Sequence, residues 1–250
     1  MIKNRGETTA NVFDEMGVYW AEIADKNQTE EQIQFLKSHL KPKGYVLDLA
    51  CGTGRHSIPL SQQGFCMVGL DVSLKLLGIA KQRSSQLQVV RGDMQHLPFK
   101  AGAFADVVSV DTSFGYLPSK VDDRASLSEV RRVLFQRSIF VIDVFNRENL
   151  VLRFKEQNKS IKEKDYPSFF LQQKRTISGD GGWLCDSWTV RDKKDGMVRF
   201  FEHKVRLFGK DVLAGLLEEA GFAVEEVYGS YNGGKFSADS PRLIIVARVK

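Results

Sequence analysis

The chain has 250 residues, of which 42% are hydrophobic and 27% charged, and its net charge is +5. This composition is that of an ordinary folded domain, and the length accommodates one large domain or a domain with an insert. Because no apolar run reaches the roughly 18 residues that span a bilayer, a transmembrane helix is excluded. The three cysteines are widely spaced and form no CxxC pair, and the first residues lack an apolar signal segment. The sequence therefore predicts a cytoplasmic protein with free thiols and no metal site.

Residues 1–44 are predicted to be largely helical, with an apolar stripe of Ile33, Leu36 and Leu40 that ends before Pro42. From residue 45 onward, short apolar strands alternate with amphipathic helices. The predicted strands are YVLDLA, CMVGLD, LQVVRGD, ADVVSVD and SIFVIDVF. This alternation indicates a parallel sheet that is covered by helices on both faces, so residues 45–145 are assigned to an α/β core.

The pattern changes after Asn146. A helix to about residue 157 is followed by three segments that alternate with period two, which indicates an antiparallel insert over residues 146–208. These segments are SFFLQQKRTIS, WLCDSWTVRDK and MVRFFEHKVRLF, whereas the charged stretch RFKEQNKSIKEKD before them is interpreted as a solvated surface. Residues 209–250 then supply the helix KDVLAGLLEEAGF and two strands that close the sheet.

The stretch VLDLACGTGRHS places Asp48 at the end of the first strand and Gly52 and Gly54 in the loop that follows. In open α/β sheets, ligands bind where such strands end, and a glycine loop lets a ligand approach the main chain. A tight turn alone would also explain the glycines. A dinucleotide fingerprint would place a third glycine where Ser57 stands. Because Asp48 would repel a pyrophosphate, a cationic nucleoside without phosphates is the better match.

Three more strand ends carry polar groups that match such a nucleoside. Asp71 ends the second strand and is suited to accept two ribose hydroxyls, although a helix cap is the structural alternative. Asp93 and Met94 follow the third strand and are suited to an adenine amino group and ring. Asp111 and Tyr116 follow the fourth. Because the ends of parallel strands meet at one edge of a sheet, we expect these groups to surround one ligand.

Together, VLDLACGTGRHS, VGLDVS, VVRGDMQHLPF, DVVSVDTSFGYL and FVIDVF resemble the class I S-adenosylmethionine-dependent methyltransferases. The resemblance covers residues 45–145, and LLEEAGF with RLIIVARV extends it to the closing helix and strands. It implies a Rossmann-like, seven-stranded doubly wound sheet whose last strand is antiparallel, with the insert as a lid, and S-adenosylmethionine as cofactor. Two departures are Ala50, where many members have glycine, and FQRS in place of Pro-Gly-Gly. The expected cofactor-binding residues are Tyr19, Asp48, Ala50, Gly52, Gly54, Asp71, Val72, Asp93, Met94 and Asp111.

Methyl transfer from a sulfonium is an in-line displacement that depends mainly on positioning, and it needs a base only where the acceptor loses a proton. The candidate catalytic residues are His203, Tyr116 and Asp111. His203 shares strand parity with Phe201 and Val205, so it is expected to face inward, where a buried core histidine is the structural alternative.

Three functions remain open at the level of the sequence. The favoured one is a small-molecule methyltransferase whose insert covers an aromatic pocket, with Trp183, Trp188, Phe200 and Phe201 in the lid. The alternative is a tRNA or rRNA methyltransferase that binds nucleic acid through Lys174, Arg175, Arg191, Lys193 and Lys194. The third is a nucleoside-binding protein without activity. We favour the first because no compact basic run is present, and we expect no membrane partner.

Overall fold

Helices and strands alternate through most of the chain, in a computed structural model that describes residues 9–23, 26–41, 43–157 and 160–250. The helices are α1 (Thr9–Ile23), α2 (Lys26–His39), α3 (Ser57–Gln62), α4 (Leu74–Arg83), α5 (Lys120–Val133), α6 (Arg147–Gln157) and α7 (Lys210–Glu219). The strands are β1 (Tyr45–Leu49), β2 (Cys66–Asp71), β3 (Gln88–Arg91), β4 (Phe104–Ser109), β5 (Leu134–Phe145), β6 (Ser160–Asp165), β7 (Phe169–Ile177), β8 (Trp183–Asp192), β9 (Val198–Arg206), β10 (Phe222–Tyr228) and β11 (Arg242–Val249).

Seven strands form the core sheet, in the order β10-β11-β5-β4-β1-β2-β3. The last strand, β11, is antiparallel to both of its neighbours, and β1 to β5 pair in parallel. The predicted Rossmann-like fold is therefore confirmed. The strand order reverses between β1 and β4, and the carboxyl ends of these strands form the crevice in which such sheets bind ligands.

Local sequence signals explain how two of the covering helices begin. The side chain of Ser73 accepts a hydrogen bond from the N–H of Leu76 and so caps α4. Ser119 and Asp122 form a reciprocal capping box at the start of α5. These caps set where each helix leaves the sheet edge, and therefore where the preceding loops lie.

The structure corrects the predicted start of the fifth strand. SIFVIDVF begins at residue 138, whereas β5 begins at Leu134 and includes FQRS. Arg137 has a φ of 60°, and the pairing register between β4 and β5 shifts between Phe104 and Asp106. The FQRS stretch is therefore part of β5, with a local irregularity at Arg137.

A second sheet contains four antiparallel strands in the order β6-β7-β8-β9. Its strand β6 (SIKEKD) was predicted only as solvated surface; residues 161–165 are indeed exposed, but the strand itself was not predicted. An edge strand rich in charges resists pairing with other chains, so it lacks the apolar pattern that reveals a strand. The inner face of this sheet packs Phe169, Leu171, Trp188, Val190 and Phe201 against α1.

Within the described ranges, no helix is both long and apolar enough to cross a bilayer.

Candidate active site

A cavity of about 710 Å³ lies between the carboxyl edge of the core sheet and the inner face of the second sheet. Its size falls within the range of small-molecule sites. The loops that follow β1 to β4 line one end, which we name the rim. The side chains of α1 and of the second sheet, together with Tyr116 from the loop after β4, line the other end, which we name the roof.

The loop after β1 exposes its main chain to the cavity. Ala50 and Gly52 line the cavity and have φ values of 60° and 54°, in the left-handed region. A Cβ added at Gly52 would meet no atom within 4 Å, so the space beside this glycine is open. A ligand can therefore lie directly against the backbone here, as the glycine spacing predicts.

Asp71 lies at the centre of the rim. Its carboxylate accepts hydrogen bonds of 2.8 Å from the backbone N–H of Gly52 and 2.8 Å from that of Ser73. Burial raises the pKa of Asp71. A carboxylate has about four lone-pair sites, so Asp71 keeps some capacity for donors on a ligand in the cavity that it lines.

Val72, Asp93 and Met94 complete the next part of the rim, and all three line the cavity. The carboxylate of Asp93 accepts a hydrogen bond of 2.9 Å from the N–H of Gln95, which holds the turn after β3. Met94 packs against the apolar core of the sheet. The arrangement places a polar acceptor beside an apolar surface, as recognition of a purine base requires.

Asp111 extends from an unusual turn after β4, in which its own φ is 59° and that of Thr112 is 62°. The backbone N–H of Asp111 donates to Asp143 Oδ2 at 2.8 Å, and Arg242 donates to both Asp143 and Thr112. Asp143 is fully buried on β5, and its contacts hold this left-handed turn in place. Sequence reasoning missed Asp143 and Arg242, although a carboxylate inside the apolar run VIDVF was a usable signal.

Three of the expected cofactor residues do not line the cavity. Asp48 is 1% exposed and lies behind the loop, where it accepts a hydrogen bond of 2.6 Å from Ser57 Oγ. Burial raises the pKa of Asp48 to about 6. Gly54 has a packing role, because a Cβ there would lie 3.0 Å from Leu87. The Tyr19 hydroxyl donates to Asp192 at 2.7 Å, so this side chain joins α1 to the second sheet.

Aromatic side chains form much of the roof. Phe13, Trp20, Tyr116 and His203 line the cavity, and the Trp20 ring stacks on Trp188 with a centroid separation of 5.6 Å. Of the aromatic residues predicted for the lid, Trp188 and Phe201 are buried in the second sheet but do not themselves line the cavity. Phe200 is 73% exposed and also lies outside the cavity lining. Trp183 instead contacts the cations of Lys204 and Arg206.

His203 faces inward from β9, as its strand parity predicts. Its side chain is 8% exposed, and Nε2 lies 3.9 Å from Asp186 Oδ2, which is beyond hydrogen-bond distance. Nδ1 is buried and has no hydrogen-bond partner within the described part of the chain. Burial lowers the pKa of His203, so the imidazole is neutral at neutral pH and is able to accept a proton.

Arg175 and Asp186 are roof residues that sequence reasoning did not place in the site. Asp186 accepts hydrogen bonds from Gln173, Arg175 and Trp188, at distances of 2.7, 2.7 and 2.9 Å. Arg175 was assigned to a possible RNA-binding face, whereas the structure places it at the cavity. The missed signal was the carboxylate of Asp186, which lies on β8 between two apolar residues of the same parity, Leu184 and Trp188.

Comparison with known proteins matches residues 46–136 to a family described as a methyltransferase domain. The putative methyltransferase YqeM of Bacillus subtilis (strain 168) is 27% identical over 246 residues, which cover 96% of this chain and 95% of that protein. The CcbJ methyltransferase from Streptomyces caelestis has a similar fold, with a TM-score of 0.82, 18% identity, and coverage of 98% of this chain and 99% of that one. The sugar N-methyltransferase KedS8 from Streptoalloteichus sp ATCC 53650 has a TM-score of 0.73 and 18% identity, covering 100% of this chain and 97% of that one.

Proposed function

We propose that the chain is a class I S-adenosylmethionine-dependent methyltransferase that methylates a nitrogen or oxygen atom of a small molecule. The observation that carries this proposal is a continuous cavity of about 710 Å³, which joins the rim to an aromatic roof. A cofactor at the rim and a small acceptor under the roof would share this space. The likeness to a sugar N-methyltransferase supports an acceptor of this size.

The chemistry of the rim fits S-adenosylmethionine. Asp71 would accept hydrogen bonds from the ribose hydroxyls, and Asp93 with Met94 would contact the adenine. Ala50, Gly52 and Asp111 would surround the methionine part. When bound, the cofactor supplies an electrophilic methyl group on a positively charged sulfur. The carboxylates of the rim favour that charge and disfavour a pyrophosphate.

The roof residues would orient the acceptor and remove its proton. Catalysis of an in-line displacement comes largely from holding the nucleophile about 3 Å from the methyl carbon. His203 would accept the proton that an ammonium or hydroxyl group loses, since its ring is neutral and is not hydrogen-bonded within the described residues. Burial raises the pKa of Tyr116, so its phenol remains a hydrogen-bond donor that would help to orient the nucleophile.

The positions of the basic side chains on the insert favour a small molecule over RNA. Arg175 is turned to the cavity and pairs with Asp186, and Lys193 pairs with Asp165. Two of the five proposed RNA contacts are therefore paired with carboxylates, which weakens the attraction for a phosphate backbone.

The decisive experiment incubates the protein with methyl-labelled S-adenosylmethionine and a pool of small metabolites, and identifies the labelled product by mass spectrometry. A parallel reaction contains total tRNA and rRNA at two salt concentrations. We expect label in a small molecule and none above background in RNA. Label in RNA alone would overturn the acceptor class, and cofactor binding without any transfer would support a binding protein.

A further inference from the structure

A row of polar side chains crosses the otherwise apolar roof. In the strand pairing, Arg175 of β7 lies opposite Asp186 of β8, and Asp186 lies opposite His203 of β9. The neighbours of the same parity, Leu184 and Val205, are buried apolar residues. Burying charged groups costs free energy unless they are paired, so a polar row on this surface calls for a specific role.

Asp186 is used mainly for contacts within the protein. Its side chain is 3% exposed. Oδ1 accepts from the Trp188 indole, and Oδ2 accepts from both Gln173 and Arg175. This carboxylate is therefore a positioning group that holds the guanidinium of Arg175 in one orientation, and it has little capacity left for a ligand.

Arg175, in contrast, has donors to spare. Only its Nε atom is used on Asp186, at 2.7 Å, and across the described ranges its two Nη groups have no hydrogen-bond partner. The side chain is 31% exposed and lines the cavity. Two parallel N–H groups of a guanidinium match the two oxygens of a carboxylate or of a phosphate.

We propose that the acceptor carries an oxyanion, a carboxylate or phosphate group, that the Nη groups of Arg175 bind in a bidentate manner at the roof. The acceptor would then be held at two points, with its anionic group on Arg175 and its amino or hydroxyl nucleophile near His203. Such two-point attachment orients the nucleophile without a large interface. This inference rests on the proposed function, because it places the anion at the acceptor end of the same cavity.

The anion site is tested first by binding, with no acceptor needed. The protein is saturated with S-adenosylhomocysteine, and tryptophan fluorescence is followed during titration with acetate, inorganic phosphate or uncharged acetamide at constant ionic strength. Trp20 and Trp188 lie at the roof and would report occupancy. We expect saturable signals with acetate or phosphate and none with acetamide. The tighter of the two anions identifies the kind of group that the acceptor carries.

Substitutions test whether the change in tryptophan fluorescence comes from an anion bound to Arg175. Arg175→Met is expected to weaken anion binding roughly tenfold or more, since hydrogen bonds to charged groups contribute about 1.5–3 kcal/mol. Arg175→Lys keeps a cation beside Asp186, so it is expected to fold, and it is expected to bind the anion more weakly than wild type because it lacks the planar fork. Arg191→Met is the matched control, because Arg191 is exposed on β8 and does not line the cavity.

Methyl-transfer assays then separate this proposal from the proposed function. Candidate acceptors are supplied in pairs that differ only in the anionic group, such as glycine and glycinamide, and we expect methylation of the charged members with a raised KM in Arg175→Lys. One outcome is methyl transfer to RNA alone, with acetate binding that still depends on Arg175. It would refute the small-molecule acceptor, and the anion site at Arg175 would stand. Transfer only to uncharged members, or anion binding that Arg175→Met leaves unchanged, would refute the anion site and leave the small-molecule function.

Discussion

The backbone N–H of Gly52 donates a hydrogen bond of 2.8 Å to the carboxylate of Asp71. This contact joins the loop after β1 to the end of β2, so the group that we assign to the ribose also sets the shape of the loop beside the methionine part. The two halves of the rim are therefore coupled through one carboxylate.

The first prediction concerns that carboxylate. Asp71→Asn should weaken S-adenosylmethionine binding by roughly tenfold or more, because an amide nitrogen would face a donor, either a backbone N–H or a ribose hydroxyl. Isothermal titration calorimetry measures the affinity. Asp211→Asn is the control, since that side chain is 93% exposed on α7. Equal affinities in the two variants would refute the assignment of Asp71.

Alanine substitutions at two glycines distinguish the effect of backbone strain from the effect of losing contact with the cofactor. Gly52 and Gly233 both have positive φ, at 54° and 84°, and a Cβ at either position meets no atom within 4 Å. Alanine at either position should cost about 1–2 kcal/mol of stability for the left-handed backbone. Only Gly52→Ala should also reduce S-adenosylmethionine affinity, because its methyl group would enter the cavity. Calorimetry and urea unfolding of both variants provide the comparison, and equal affinities would place the cofactor elsewhere.

Burial of Asp48 predicts a pH-dependent stability. Its folded pKa of about 6 lies above its ordinary value of 3.8, so the folded state binds the proton more tightly than the unfolded state. The contribution of Asp48 to the free energy of unfolding is fully present below pH 3.8 and is lost as pH rises through 6. Asp48→Asn has no titrating group at this position. Its free energy of unfolding should therefore rise by about 3 kcal/mol relative to that of wild type as pH increases from 3.8 through 6. Urea unfolding between pH 4 and pH 7 measures the difference, which should be flat for Asp211→Asn.

Two arginines of β11 form ion pairs that differ in burial, so replacing each one compares the contribution of a buried pair to stability with that of a surface pair. Arg242 pairs with Asp143, whose side chain is fully buried, whereas Arg248 pairs with Glu225, whose side chain is 37% exposed. Arg242→Met leaves a buried carboxylate without its cation and should cost about 3–5 kcal/mol. Arg248→Met should cost less than about 1 kcal/mol. Similar unfolding free energies for the two variants would show that Asp143 does not depend on Arg242.

The last prediction concerns the proton of the acceptor. If His203 accepts it, then kcat/KM should fall as pH is lowered through the His203 pKa, which burial places below the ordinary 6.5. His203→Asn should lower kcat and remove this acidic limb without unfolding the protein. His96→Asn, at an exposed position, is the control. A variant at residue 203 that keeps the wild-type pH profile would leave His203 as a packing residue.

Local sequence was sufficient to predict the core and most of the rim. Parallel strands begin and end at periodic signals in the chain, and their carboxyl ends meet at one edge, so Asp71, Asp93 and Asp111 were brought together by topology alone. The same reasoning could not give the direction of Asp48, because a side chain at a strand end can point to the ligand or beneath the loop. Its bond to Ser57 Oγ settles that direction.

Only the tertiary structure determined which charged residues meet at the roof. Arg175, Asp186 and His203 come from three strands, and they form a row only because the pairing register places them opposite one another. A shift of one residue would turn any one of them to the outer face, where a charge needs no partner. Within each strand the alternation indicated which residues face inward, but the distance between charges on neighbouring strands is a property of the folded sheet.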